Sequence, residues 1–327
     1  MTSKPKTKPE VLCSMRISDE AQKKLEEVAE VETRFTVEFL SSKEELLKVI
    51  DLFDGVIIAA SEPFDREVIN AGKRLKVISR VGVGYDNVDV KAAVERGIYV
   101  TVTPVNAETV ADTAFGLIFA VARKIPQAHL FVKDGEWSSG KPVVSFMGFD
   151  VFGKTMGIIG LGRIGSVMAK RARGFDMPVL YYDMVRNKRL EKDLGIKFVS
   201  LEDLLLKADI VTIHVPLNEK TRGMIGEEQL KTMKRTAILI NTARGPIVDE
   251  ATLCKALKEG WIAGAGLDVF AHEPVNAGNP LLTLENTVYL PHLGSATFEC
   301  RKRMYMMGVE NTIRVLGGEK PLHYVTS

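Results

Sequence analysis

Thr155-Met-Gly-Ile-Ile-Gly160-Leu-Gly162-Arg163-Ile164-Gly165 is followed by a helical run, Ser166 to Phe175, and then by Val179-Leu-Tyr-Tyr-Asp183. An apolar run leads into the glycines and an amphipathic run leads out. An acid closes the next apolar run about 20 residues on. Strand, glycine-rich turn, helix, strand and acid in that order form a dinucleotide-binding unit. Each glycine has its own task. Gly160 permits the tight turn out of the strand, Gly162 lets the backbone approach a pyrophosphate, and Gly165 lets helix and strand pack closely. The helix N-terminus offers N–H groups to the phosphates. Asp183 suits the ribose hydroxyls and repels a 2′-phosphate, which favours NAD over NADP. Arg186, Lys188 and Arg189 follow closely and pull the other way.

A chain of 327 residues suits two domains. With 46% hydrophobic and 26% charged residues the composition is that of a globular protein. A net charge of +2 supplies no broad basic field, so nucleic acid is not an expected partner. Cys13, Cys254 and Cys300 have neither metal-like nor disulfide-like spacing, which suits a reducing cytoplasm and predicts no metal. Residues 1–10 are rich in Lys, Pro and Thr and read as a frayed tail, not a signal peptide. No apolar run reaches the length of a membrane span.

The first third alternates short β runs (11–15, 36–39, 55–59, 77–81 and 99–103) with helical patterns (19–29, 43–51, 65–71 and 90–95). Such alternation predicts a parallel sheet covered on both faces. A helix over 108–123 is apolar on most sides and is expected to be buried between domains or subunits. A second alternation, with strands at 156–159, 179–182, 210–213, 237–240, 264–267 and 288–290, predicts a six-stranded doubly wound domain. After Pro291 no strand is expected, only a helix over 297–317 that returns to the first domain. The expected division is residues 1–104 plus 298–327 as substrate domain and 105–297 as cofactor domain.

Ligands of open α/β sheets bind at the carboxyl ends of the strands. In the second alternation those ends carry Gly160 to Gly165, Asp183, His214-Val215-Pro216, Asn241-Thr242-Ala243-Arg244-Gly245, Asp268 with Glu273 beyond it, and Pro291-His292-Leu293-Gly294. His214 reads as a core histidine beneath the cofactor. In the first alternation, the run 77–81 ends in Gly82-Val83-Gly84, whose exposed N–H groups would cradle a carboxylate. Two such edges facing one another would enclose a substrate.

Together these residues resemble the D-isomer-specific 2-hydroxyacid dehydrogenase family. The likeness runs from Val11 to Leu316. Its strongest pieces are 160–165, Asn-Thr-Ala-Arg-Gly at 241–245, Gly-Leu-Asp-Val-Phe at 266–270, Glu273-Pro274, and Pro-His-Leu-Gly-Ser at 291–295. The resemblance implies two doubly wound α/β domains, the Rossmann domain inserted in a smaller flavodoxin-like one. It implies a homodimer formed through the cofactor domain, a nicotinamide cofactor, and a small 2-oxo or 2-hydroxy acid as substrate. The catalytic trio would be Arg244, Glu273 and His292. Cofactor contacts would fall on Thr103, the 160–165 turn with Arg163 and Ile164, Asp183, the 214–216 segment, Thr242, Ala243, Asp268, and the 292–295 loop with Gly294 and Ser295. Arg244 would grip carboxylate and carbonyl oxygens. His292 would carry the proton and Glu273 would orient it. Gly82, Val83 and Gly84 would hold the substrate carboxylate. Asp268 would accept from the nicotinamide amide.

Within the family the pieces divide. Arg80-Val-Gly-Val-Gly84-Tyr-Asp-Asn-Val-Asp89 is similar to 3-phosphoglycerate dehydrogenases, in which an arginine at the place of Arg80 helps hold the phosphate. Gly148-Phe-Asp-Val-Phe-Gly-Lys154, Trp261-Ile-Ala-Gly-Ala-Gly-Leu-Asp268 and Gly294-Ser-Ala-Thr297 are similar to glyoxylate, hydroxypyruvate and 2-ketogluconate reductases. Where archaeal-type glyoxylate reductases carry Trp-His-Pro, this chain has Lys141-Pro-Val-Val-Ser-Phe-Met147. The reading favours a reductase of small unphosphorylated or sugar-derived 2-oxo acids. D-3-phosphoglycerate dehydrogenase is the alternative. A non-enzymatic alternative is an NADH-sensing protein like the C-terminal-binding-protein corepressors.

Overall fold

The computed structural model describes residues 8–34 and 42–326. Its strands, in chain order, are β1 (Glu10–Cys13), β2 (Glu30–Thr33), β3 (Gly55–Ile58), β4 (Val77–Arg80), β5 (Tyr99–Thr101), β6 (Met156–Ile159), β7 (Val179–Tyr182), β8 (Lys197–Phe198), β9 (Ile210–Ile213), β10 (Ile238–Asn241), β11 (Gly264–Leu267), β12 (Thr287–Tyr289) and β13 (Tyr324–Val325). The chain forms two compact units, Met1–Asn106 with Ala296–Ser327, and Ala107–Ser295. Both are α/β layers, which is the expected fold class.

The smaller unit has the sheet order β13-β5-β4-β3-β1-β2. β3 and β4 are buried along their whole length, as strands covered on both faces must be. The helix Phe298–Leu316 lies on this sheet, and the Ser79 hydroxyl donates to its Gly308 carbonyl at 3.1 Å. Two expectations fail here. A strand does follow Pro291: β13 pairs antiparallel with β5, so the sheet is not wholly parallel. The helix expected over 19–29 closes at Glu26, and β2 begins at Glu30, where no strand was expected. β2 is an edge strand with no buried residue, so it lacks the apolar signal of its neighbours. The strand expected over 36–39 lies outside the described residues.

The larger unit has the order β12-β11-β10-β9-β6-β7-β8, all parallel. It holds seven strands and not the expected six, because the short β8 extends the edge. Burying the two faces of this sheet makes two apolar cores, one around Leu204, Leu239 and Leu253, the other around Ile118, Met168 and Tyr181. Gly157 has room only for a hydrogen, since a Cβ there would lie 2.5 Å from Leu204 Cδ2. The helix expected over 108–123 spans Ala107–Ala122. It packs on this unit's own sheet, where the flat backbone of Gly264 and Gly266 meets Val121 and Leu117. A further helix, Ile125–Lys133, was not foreseen. Among the described residues no single helix is long and apolar enough to cross a membrane.

Candidate active site

The glycine turn does in space what its spacing demands. Gly160 takes φ +94°, and a Cβ there would meet the His214 carbonyl at 2.8 Å. A Cβ on Gly165 would lie 2.0 Å from the Gly160 oxygen, so any side chain would push the helix off the strand. Gly162 is different: a Cβ would meet nothing within 4 Å. Gly162 is also the N-cap of the helix Arg163–Ala172, with no side chain bonded over its first turn. Open space before uncapped N–H groups is what a pyrophosphate requires. Asp183, at the end of β7, accepts from the Leu161 N–H at 2.7 Å and the Val185 N–H at 3.1 Å. Its carboxylate is thus fixed beside the turn, with lone pairs to spare for ribose hydroxyls.

The next strand ends add two buried polar atoms. His214 Nδ1 and Thr242 Oγ1 are buried and have no partner among the described residues. His214 Nε2 stands 2.8 Å from Thr212 Oγ1. Burial drives the His214 pKa down to about 3, so the ring is neutral. Val215 is half-buried and Pro216 exposed.

β10 delivers Arg244 through a loop tied by Asn241. Its Oδ1 accepts from the Ala243 N–H at 3.0 Å and its Nδ2 donates to the Arg244 carbonyl at 2.9 Å. The Arg244 guanidinium donates to the Ala243 carbonyl at 2.8 Å, one of five donors it carries. Asp249 caps the helix Glu250–Lys258 through the Thr252 N–H.

β11 and β12 deliver the acid and the imidazole. His292 Nδ1 lies 2.6 Å from Glu273 Oε2, and Glu273 Oε1 accepts from the Phe270 N–H at 3.0 Å. Burial raises the Glu273 pKa, but His292, the Phe270 N–H and Arg244 outweigh it and hold the carboxyl below its usual range. His292 takes φ +57°, a conformation uncommon outside glycine. Asp268 shapes that bend: it accepts from Leu293 N–H at 2.6 Å and Gly294 N–H at 2.8 Å. Burial raises the Asp268 pKa in spite of those donors. Asp268 is thus first an anchor of the 292–295 loop. Gly294 is held to this anchor, and a Cβ on it would lie 2.9 Å from Asp268 Oδ2.

The smaller unit carries the other predicted residues. Gly82 takes φ +142°, and a Cβ there would lie 1.7 Å from Arg80 Nη1. The Arg80 side chain is buried under the turn and donates to the Val81 carbonyl. The expectation of three open N–H donors is corrected, because the Gly82 N–H already donates to Thr103 Oγ1 at 2.7 Å. Thr103 is fully buried and serves this turn.

Three features went unforeseen. Asn241 lies inside a quoted motif, yet its role as the loop's tie emerges only in space. Glu250 accepts from the Ala271 N–H and from Asn279 Nδ2, both at 2.8 Å, and so pins the loop bearing Glu273. Glu191 pairs with Arg186. No spacing signals either of the last two. Among the described residues no cluster of His, Cys, Asp and Glu could hold a metal ion.

A glycine turn fitted to a dinucleotide, with an Arg–Glu–His set on the neighbouring strand ends, defines a nicotinamide-dependent oxidoreductase of 2-hydroxy acids. Residues 115–294 match the family described as D-isomer specific 2-hydroxyacid dehydrogenase, NAD binding domain. The glyoxylate reductase of Korarchaeum cryptofilum is 48% identical over 97% of this chain and 96% of its own. The crystal structure of a glyoxylate reductase from Paecilomyes thermophila is 33% identical, with a TM-score of 0.86 over 97% of this chain and 98% of its own. That of an NADPH-dependent glyoxylate/hydroxypyruvate reductase from Sinorhizobium meliloti, in complex with NADP and malonate, is 32% identical, with a TM-score of 0.86 over 98% and 97%. The chain belongs to the D-isomer-specific 2-hydroxyacid dehydrogenase family. It is an oxidoreductase acting on the CH–OH group of donors, and these relatives do not favour the 3-phosphoglycerate or corepressor-like readings.

Proposed function

We propose that this dehydrogenase reduces small unphosphorylated 2-oxo acids such as glyoxylate and hydroxypyruvate, with NADH as its cofactor. The observation that carries the chemistry is the 2.6 Å contact between His292 Nδ1 and Glu273 Oε2. The pyrophosphate would lie on the Gly162–Arg163 turn and the ribose on Asp183, with Thr242, Ala243, the 214–216 segment and the 292–295 loop around the rest. When bound, NADH supplies a hydride to C2 of the substrate. Arg244 holds the substrate carboxylate and carbonyl oxygens by its fork. Glu273 occupies Nδ1 of His292, which leaves Nε2 to give a proton to the developing alkoxide. The same contact fixes the orientation of the ring. Val83 and Gly84 are the N–H donors of their turn left for a carboxylate, since Gly82 is committed to Thr103.

The choice of NADH rests on Asp183, whose carboxylate would repel a 2′-phosphate. The choice of substrate rests on the relatives named glyoxylate reductase. The test is a panel of glyoxylate, hydroxypyruvate, 2-ketogluconate and 3-phosphohydroxypyruvate with both reduced cofactors. Highest kcat/KM with NADH and an unphosphorylated acid is expected. A preference for NADPH, or for the phosphorylated acid, defeats the reading.

The protein is further read as a homodimer of the cytoplasm. Trp137, Val144 and Met147 are 62%, 68% and 73% exposed on the larger unit, an apolar stretch that a second copy would cover. The described cysteines are all free and buried, which suits a reducing compartment. A monomeric mass by light scattering would refute the dimer.

A further inference from the structure

We propose that Glu191 is a positioning residue that sets the cofactor preference: it holds Arg186 away from the ribose edge, so that Asp183 alone meets the 2′ position. The inference rests on the proposed use of NADH. Arg186 lies three residues beyond Asp183, in the turn before the helix Lys188–Leu194. A guanidinium there is the group that a 2′-phosphate would recruit. One of its two bidentate edges, Nε with Nη2, is already turned onto Glu191. Arg186 Nε donates to Glu191 Oε1 at 2.8 Å and Nη2 donates to Glu191 Oε2 at 2.7 Å. The planar group also sits over the Phe198 ring, 5.7 Å from its centroid.

Glu191 is itself held. Its Oε1 accepts from the Tyr181 hydroxyl at 2.8 Å, and that hydroxyl accepts from the Asn187 N–H at 2.9 Å. Tyr181 is fully buried and packs on Phe198, ring centroids 5.4 Å apart. The Glu191 side chain is only 16% exposed, unlike most ion pairs of this protein. Arg186 first, then the Tyr181 hydroxyl, push its pKa down to about 2. Exposed pairs contribute little, whereas a bidentate pair on a buried support fixes geometry.

The sheet order gives the separation its direction. β7 lies between β6 and β8. Asp183 leans towards the β6 side, onto the Leu161 N–H. Arg186 leans towards the β8 side, onto Phe198. The acid and the cation that follow β7 are drawn to opposite sides of it, and Glu191 makes the second half of that division.

The test is calorimetric titration of the full chain with 2′,5′-ADP and 5′-AMP, which needs no turnover. E191Q keeps the shape and removes the charge that holds Arg186. It is expected to raise the affinity for 2′,5′-ADP relative to 5′-AMP about tenfold, the worth of one charge-assisted contact. R186A/E191Q should lose that gain. R186A alone should leave the wild-type ratio where it was. An unchanged ratio in folded E191Q overturns the proposal. So does a gain that survives in R186A/E191Q, which would move the effect to Lys188 or Arg189. So does a fall in 2′,5′-ADP binding in R186A, which would show that Arg186 is already available. If E191Q does not fold, R186A alone still decides. A wild-type preference for 2′,5′-ADP would defeat the NADH reading, while the change between variants would continue to test Glu191.

Discussion

Gly245 and Phe270 meet backbone to backbone: a Cβ on Gly245 would lie 1.9 Å from the Phe270 carbonyl carbon and 2.0 Å from its oxygen. Arg244 precedes the one and the Glu273 loop follows the other, so this contact sets the spacing between arginine and carboxylate. The charge of Arg244 helps lower the Glu273 pKa across the same gap. Gly245→Ala must push the two loops apart. We expect about 1–3 kcal/mol of lost stability from overpacking. We also expect at least a hundredfold fall in kcat, because small misplacements of positioning groups are costly. NADH affinity, read by fluorescence titration, should fall far less. An Ala variant with wild-type kcat would show that the contact positions nothing.

His292→Ala removes the proton donor while leaving the glycine turn and Asp183 intact. Turnover should fall about two to four orders of magnitude, with NADH binding retained. Steady-state kinetics beside a binding titration checks both halves, and unimpaired turnover would refute the assignment.

Glu273→Gln keeps the shape but leaves one acceptor oxygen where two are used, by His292 Nδ1 and by the Phe270 N–H. One of those donors then faces an amide N–H, so the imidazole and the loop can no longer both be held. Turnover of 2-oxo acids should fall about tenfold to a hundredfold, the worth of one charge-assisted hydrogen bond, with NADH binding retained. Steady-state kinetics beside a fluorescence titration checks both halves, and wild-type turnover would remove Glu273 from the positioning of His292.

The glycine turn and the Arg–Glu–His set were legible because each depends on residue types that few alternatives can replace. A Cβ at Gly165 would strike a carbonyl, whereas Gly162 leaves open the space that a pyrophosphate needs. The central strands were legible because burial on both faces demands continuous apolar runs. The edges were not. β2 buries none of its residues, and β8 and β13 are two-residue strands whose pairing is decided by the neighbours they extend. The ties were not legible either. Glu250 holds Ala271 and Asn279, and Thr103 claims the Gly82 N–H, through contacts between residues about 20 or more positions apart in sequence. Such pairings are set by packing and leave no periodicity.

Arg80 is the residue through which a phosphorylated substrate would be held, yet its guanidinium lies beneath the Gly82 turn and donates to the Val81 carbonyl. A group in that position supports the turn. Arg80→Ala should therefore lower kcat/KM for glyoxylate and for 3-phosphohydroxypyruvate by similar factors, on the order of tenfold or more, the effect of leaving a buried carbonyl short of a donor. A loss confined to the phosphorylated acid would restore the phosphate-binding role.

His214 gives the protein an acid-sensitive step in stability that is separate from catalysis. The ring is neutral in the fold, with a pKa of about 3, against about 6.5 for a free histidine. Between those values the unfolded chain binds a proton that the folded one refuses, so unfolding is favoured as pH falls. The contribution is complete above about pH 6.5 and is lost progressively towards pH 3, at no more than about 1.4 kcal/mol per pH unit. His214→Gln keeps a polar side chain that can meet the Thr212 hydroxyl but does not titrate. Urea unfolding of the cofactor-free protein at pH 7 and pH 5 should show wild type losing up to about 2 kcal/mol more than the variant over that interval. Equal losses in the two proteins would assign the acid sensitivity to other groups.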